Sequence, residues 1–251
     1  MGKVVTSITF LKDLPLYRSE KPYNVLLAQQ DDKNENSHPI SNLQFEDVGG
    51  IEVHNLREAA DDFSLDKSGF QLLSFKSNHL PVDSHDLVEA YRAETETYLC
   101  DRFDALKVIC WEIRTRYNRP VDRPVNLGDA LAAEMPAVGA HIDNTFRGGQ
   151  NVVLVHLTDV QKAEYLNKGT WRPLVPVIED SPLAVCDYRS VRKEDLIACD
   201  RIIPTRVGEI YYLKHKEHHQ WYYAKEMTWN EMFMMVMFDS KEGVARCGWL
   251  H

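Results

Sequence analysis

The chain has 251 residues and a formal net charge of −9 at pH 7, and its basic residues are scattered, often beside acids as in Arg192-Lys193-Glu194-Asp195. That excludes the basic stripe along which a nucleic-acid groove tracks phosphates. No run approaches the roughly 20 apolar residues of a membrane-spanning helix, and no small-residue cleavage site follows the N-terminal apolar run as in a secretory leader, so a cytoplasmic protein with neither membrane nor nucleic acid as partner is expected.

In chain order, Val4–Phe10 is expected as a strand and the polar segment Gln29–Ser41 as a surface loop. Ile51–Leu56 alternates apolar and polar residues, the period of a half-buried strand, and Phe70–Phe75 follows Gly69 as another. Ser84–Ala105 is predicted as a helix. Ser84 suits its N-cap, and Leu87, Val88, Tyr91, Tyr98 and Leu99 form a stripe at helical spacing, leaving Glu94 and Glu96 to solvent. From Val108 the chain changes to short β-rich runs: Val108–Ile113, Val152–Leu157, Leu174–Ile178, Glu209–Leu213, Gln220–Ala224 and Phe233–Phe238. A short helix is expected over Lys193–Ala198, and Phe233–Phe238 is expected to pair antiparallel with Gln220–Ala224. This pattern predicts a mainly β fold with flanking helices, an antiparallel sandwich or barrel.

With 44% hydrophobic residues, a chain of this length suits a single domain over 1–251, in which 1–105 supports a β core over 106–251. Met232, Met234, Met235 and Met237 read as core filler in a strand. The five cysteines, Cys100, Cys110, Cys186, Cys199 and Cys247, are odd in number and lack C-x-x-C spacing. They are expected as reduced thiols, without a disulfide framework or a zinc site.

Chemistry concentrates in two places. His141-Ile142-Asp143 is a His-x-Asp segment, and on an extended chain residues i and i+2 share a face. An imidazole and a carboxylate then converge on one point. Two histidines and one carboxylate leave open positions on a metal, the arrangement of non-haem Fe(II) oxygenases. The second histidine comes from the run Lys214-His215-Lys216-Glu217-His218-His219. His219 is favoured because it opens a strand, which holds a ligand better than a turn does; His215 and His218 stay open.

The segment Asp62-Phe63-Ser64-Leu65-Asp66-Lys67-Ser68-Gly69-Phe70 resembles a motif of the gibberellin desaturase-like and AsaB-type hydroxylase/desaturase family, related to the small component of the cephem methoxylation system. Similar blocks follow in order: Trp171-Arg172-Pro173-Leu174, Ser181-Pro182-Leu183-Ala184-Val185-Cys186-Asp187, Gly208-Glu209, His219-Gln220-Trp221-Tyr222-Tyr223, Phe238-Asp239-Ser240 and Arg246. The resemblance implies a double-stranded β-helix (jelly-roll, cupin-like) core with Fe(II) on His141, Asp143 and His219, and 2-oxoglutarate and O2 as cosubstrates. It departs after His-x-Asp, where Asn144-Thr145-Phe146-Arg147-Gly148-Gly149 stands in place of the family's loop.

Many jelly-roll oxygenases are similar in placing an arginine and a hydroxyl on a strand after the distal histidine. Arg246, with Ser240 as helper, is therefore the candidate for the 2-oxoglutarate carboxylate, because a guanidinium grips a carboxylate with two bonds. Phe146, Arg147 and Trp221 are the candidates for the substrate cavity. The activity implied is hydroxylation, desaturation or oxidative cyclisation of a small secondary-metabolite or amino-acid-like molecule. A homodimer or a partner enzyme stays open. The alternatives are a cupin-like metalloenzyme without 2-oxoglutarate and an accessory subunit of a two-protein oxidase.

Overall fold

Strand periodicity decides which side of each strand is buried, and here it sorts the chain into two sheets. The computed structural model describes residues 2–26, 40–119, 129–156, 166–203, 206–239 and 248–250. In chain order these form β1 (Lys3–Leu11), β2 (Tyr23–Val25), β3 (Phe45–Asn55), α1 (Leu65–Ser68), β4 (Phe70–Ser74), α2 (His85–Phe103), β5 (His141–Ile142), α3 (Phe146–His156), β6 (Leu166–Trp171), β7 (Ala184–Cys186), β8 (Leu196–Ile203), β9 (Arg206–Leu213), β10 (Trp221–Tyr223), β11 (Glu231–Asp239) and β12 (Gly248–Leu250). The large sheet runs β1-β3-β10-β7-β12-β5-β9-β8-β2 and the small one β4-β11-β6. Strands from both ends of the chain share each sheet.

One face of the large sheet meets the small sheet. Val185 and Tyr222 pack there against Phe70, Phe233, Met235 and Met237. On the opposite face Ile142, Cys186, Trp221 and Val53 pack with Ile8 and Phe10. β11 is apolar on both sides because it is covered on both: Met232, Met234 and Val236 face Leu65, Leu73, Phe75 and Leu99, the last carried by α2. Burying one such large side chain contributes about 1.5–3 kcal/mol, so this strand supplies much of the force that holds the small sheet. α2 starts where expected, with the Ser84 hydroxyl accepting from the Leu87 N–H.

Several expectations need correction. Val152–Leu157 is not a strand: the chain through His156 is α3, and Leu157 lies outside the described residues. Thr145 caps α3, its hydroxyl accepting from the Gly148 N–H at 2.9 Å while its carbonyl accepts from Gly149, and that cap overrides the β-branched run. Val108–Ile113 is irregular because α2 takes its polar groups. Glu96 accepts from the Cys110 N–H at 2.6 Å, and Arg92 donates to the Cys110 carbonyl. Glu94 likewise binds Ser77 and Asn78, so neither acid is left to solvent. Leu174–Ile178 contributes only a bridge from Val177 to Thr228, since Pro173 and Pro176 lack the N–H a ladder needs. The helix expected over Lys193–Ala198 is one 3-10 turn, Lys193–Asp195, before β8 begins.

The expected pairing of Phe233–Phe238 with Gln220–Ala224 is also wrong. β10 lies between β3 and β7, whereas β11 crosses to the other sheet and pairs with β4 and β6. A strand apolar on both faces belongs at the centre of a covered sheet. Most of the expected loop Gln29–Ser41 lies outside the described residues.

α3 bridges the two sheets through paired glycines. A Cβ on Gly148 would meet the Glu209 carbonyl oxygen at 2.3 Å, and one on Gly149 would meet the Phe238 ring at 2.2 Å. Gly148→Ala is therefore expected to cost about 1–3 kcal/mol by overpacking. Gly49→Ala, whose added Cβ would meet nothing within 4 Å, should cost far less. Thermal denaturation of both variants checks this; equal melting temperatures would show that α3 does not press on β9.

Candidate metal centre

The His-x-Asp segment lies at the end of β5. His141 is buried, and its Nδ1 lies 2.8 Å from the Gly139 carbonyl oxygen. A carbonyl only accepts, so Nδ1 carries the hydrogen and Nε2 of the neutral ring is left with its lone pair. Nε2 in turn lies 3.3 Å from the Asp143 Oδ1. A lone pair and a carboxylate repel at that distance unless they share a cation, either a proton on Nε2 or a metal ion. This donor set fits a divalent metal, with the Gly139 carbonyl as the outer partner that orients a ligating imidazole.

Charges around Asp143 reinforce the fit. Burial alone would raise its carboxyl. The hydrogen bond and charge of His141, followed by the charges of Arg116 and Arg201, outweigh that and hold it below the usual carboxylate range. The group is thus an anion at neutral pH, as a metal ligand must be.

His219 does not join this pair. His141 stands in register with Trp249, Trp249 with Val185, and Val185 with Tyr222, so His141 and Tyr222 share the face that meets the small sheet. Trp221 faces the other way, and His219 goes with it, its ring stacked near Phe10 at 6.5 Å between centroids. It belongs instead to a second group of donors, Asp195, His218 and His219, whose ligand atoms lie within 4.8 Å of one another. Among the described residues this is the one such group of three or more His, Cys, Asp or Glu.

The other candidates divide similarly. Trp221 is 1% exposed and packs in the core opposite the His141 face, which corrects its assignment to the substrate cavity. Phe146 opens α3 and rests its ring 5.2 Å from Phe238, and Arg147 acts by its charge on Glu209. Ser240 and Arg246 lie outside the described residues. Cys186 is buried and its thiol is pushed up to about 12 by that burial, which makes it a packing residue and not a nucleophile.

Asp195, one acid in a mixed charged run, carries no local signal of its own. In the fold it is 1% exposed on its side chain. Its Oδ2 accepts from the Arg192 N–H at 2.8 Å, from His218 Nε2 at 2.8 Å and from His219 Nε2 at 3.2 Å. Burial would raise this carboxyl, but those three donors outweigh it and hold it low. Burial also lowers His219, against the pull of Asp195.

Removing a buried carboxylate from such a network costs about 3–5 kcal/mol, so Asp195→Ala should be severely destabilised in urea denaturation. The pH dependence has a defined sign. Both groups are held below their ordinary values, so their contribution is complete above the ordinary imidazole range and is lost as pH falls. The urea midpoint should drop from about pH 7 to about pH 4 more steeply in the wild type than in His219→Gln. Equal slopes would show that the network does not carry the acid sensitivity.

A family model described as "Oxidoreductase/YMDC permease-like domain" matches residues 8–249. Among similar curated proteins, the hydroxylase/desaturase efuI of Hormonema carpetanum is 29% identical over 218 residues, covering 78% of this chain and 74% of that protein. The alpha-ketoglutarate-dependent dioxygenase phiK of a fungal species is 25% identical over 221 residues, covering 81% and 77%. Among solved structures, the iron and alpha-ketoglutarate-dependent endoperoxidase NvfI superposes with a TM-score of 0.81 over 99% of this chain and 89% of its own, at 19% identity. That likeness is one of fold, and it identifies the two facing sheets as the expected jelly roll. No helix of the described residues is long and apolar enough to cross a membrane. With its match extending from residue 8 to residue 249, the chain belongs to the oxidoreductase/YMDC permease-like domain family.

Proposed function

We propose that this chain is an Fe(II)- and 2-oxoglutarate-dependent oxygenase of a small organic molecule, with His141 and Asp143 as iron ligands. The observation that carries the assignment is the approach of His141 Nε2 to the Asp143 carboxylate at 3.3 Å, with Nδ1 committed to Gly139. The relatives' names support the chemistry, since they include a hydroxylase/desaturase and an alpha-ketoglutarate-dependent dioxygenase. Bound with 2-oxoglutarate, Fe(II) supplies the O2 activation needed to break a C–H bond, leading to hydroxylation, desaturation or ring closure.

The protein's own contribution is placement. Gly139 orients the imidazole, and His141, followed by Arg116 and Arg201, keeps Asp143 ionised. Phe146 and Arg147, at the start of α3 just past the ligands, are the residues proposed to bound the substrate space. Water is kept away by the apolar layer of Val185, Tyr222, Phe233 and Met235 between the sheets. His219 is assigned to the Asp195 network and not to iron. The acceptor is a secondary-metabolite or amino-acid-like molecule in this proposal, acted on by the chain alone, as a homodimer or with a partner enzyme.

The test is an anaerobic titration with Fe(II) and then 2-oxoglutarate, followed by the visible charge-transfer band of the chelate. His141→Ala and Asp143→Ala are expected to lose iron binding and the band, whereas His219→Ala, where folded, keeps both. A band lost in His219→Ala with the fold intact would return His219 to the ligand set. Bound iron without a band in the wild type would overturn the 2-oxoglutarate chemistry in favour of a cupin-like metalloenzyme.

A further inference from the structure

We infer that Asp195, His218 and His219 form a second divalent-cation site, suited to Zn2+, separate from the His141–Asp143 pair and independent of the iron chemistry proposed there. Each of the three residues offers one ligand atom, and these atoms lie within 4.8 Å of one another. Two imidazoles and one carboxylate make a set that zinc takes in tetrahedral form, with water in the fourth position.

The main chain brings the three together. Asp195 ends the 3-10 turn Lys193–Asp195, and its carbonyl accepts from the Lys214 N–H at 2.9 Å, just past β9. The chain then turns, closed by the His219 N–H on the Lys216 carbonyl at 3.2 Å. At the far end of this turn the Gln220 N–H donates to the Ser190 hydroxyl at 2.9 Å, and the Gln220 carbonyl accepts from the Asp187 N–H at 2.9 Å. Both ends of the turn are thus tied to the segment that carries Asp195. A ligand set assembled this way loses little conformational freedom on binding an ion.

The two imidazoles have different parts. His219 is the fixed one, its side chain 1% exposed and its ring near Phe10, which packs with Trp221 and Ile142. His218 is the adjustable one, its side chain 31% exposed. Ligand atoms on a tetrahedral ion with bonds of about 2.0–2.1 Å stand about 3.4 Å apart. The 3.2 Å separation of His219 Nε2 from Asp195 Oδ2 is close to that, and the 2.8 Å separation of His218 Nε2 opens to it by a small movement of the outer ring.

Hydrogen inventory favours the exchange. Asp195 Oδ2 faces the Arg192 N–H and both Nε2 atoms, so three donors compete for the two lone pairs of one oxygen. A cation relieves that crowding. The hydrogen of each neutral ring passes from Nε2 to Nδ1, both Nε2 lone pairs turn to the ion, and Oδ2 binds the ion while keeping the Arg192 N–H. For His219 this shift breaks no other bond, because its buried Nδ1 has no hydrogen-bond partner among the described residues. With the same donors Zn2+ binds more tightly than Fe2+. The ion would join the turn leading into β10 to the turn leading into β8.

The experiment uses the full chain freed of metal by a chelator, with His141→Ala and Asp143→Ala combined to remove the first centre. Co2+ is added and followed by its visible absorption, which is intense in four-coordinate sites, and Zn2+ then competes. One equivalent of Co2+ should bind with that spectrum and be displaced by Zn2+, and Zn2+ should raise the melting temperature. Adding His218→Gln, at a part-exposed position, should weaken Zn2+ binding by roughly 100-fold or more, above the loss from changing an outer partner of a ligand. His218→Cys, which offers another ligand atom, should restore part of it. A double variant that binds neither ion overturns the inference, and so does a Zn2+ affinity left unchanged by His218→Gln. The iron reading fails separately: a 2-oxoglutarate charge-transfer band that persists in the double variant and is lost with His218→Gln would move the iron to Asp195 and end the separation of the two sites.

Discussion

The hydrogen bond from His141 Nδ1 to the Gly139 carbonyl sets the chemistry of this protein, and the backbone at Gly139 makes it available. Gly139 has φ +82, and a Cβ there would meet the Phe45 ring at 2.5 Å. Only glycine fits both the left-handed conformation and the space. Because the carbonyl is turned toward His141, the imidazole has one usable tautomer and presents Nε2 to Asp143. Phe45 and Tyr212, 5.3 Å apart between ring centroids, wall this bend. A chain reversal, an aromatic contact and a tautomer are therefore linked, and the candidate metal centre inherits its geometry from them.

Two donor groups of similar composition lie on opposite faces of one sheet. His141 and Asp143 face the small sheet, where an imidazole nitrogen lies 3.3 Å from a carboxylate oxygen. Asp195, His218 and His219 lie on the other side, where each imidazole satisfies the carboxylate by hydrogen bonding. The difference is one of hydrogen count. At Asp195 three N–H groups meet one oxygen, while the buried Nδ1 of His219 is left without a hydrogen-bond partner among the described residues. At Asp143 the Nε2 of a neutral His141 carries no hydrogen, so the pair calls for a cation. Composition does not distinguish the two groups; the partner of the other ring nitrogen does.

The electrostatics extend outward from Asp143. His141, then Arg116 and Arg201, outweigh the burial that would raise its carboxyl, and Glu134 is paired with Arg114. α3 closes this side, held against β9 by Thr145, whose hydroxyl bonds Glu209, and against β11 through Gly149 and Phe238. The residues that follow His-x-Asp thus form a helix packed on β9 and β11 and not a further strand.

The sequence by itself determined much of this. Alternation in Ile51–Leu56, the β-rich run Glu209–Leu213, the capped stripe of α2, and the i, i+2 spacing of His141 and Asp143 are local signals, because a strand or helix imposes its period on neighbours a few residues apart. The ordered motifs pointed correctly to the jelly roll and to hydroxylase/desaturase relatives. Tertiary structure decided the rest. Thr145 outweighed the β-branched run behind it, α2 claimed the polar groups of Cys110, and β11 left β10 for the centre of the other sheet. It decided as well which face Trp221 occupies, and it brought Asp195 together with His218 and His219. Those outcomes depend on which strand lies beside which and on a one-residue register that sends a side chain to one face or the other. Neither is encoded in the spacing of any single segment.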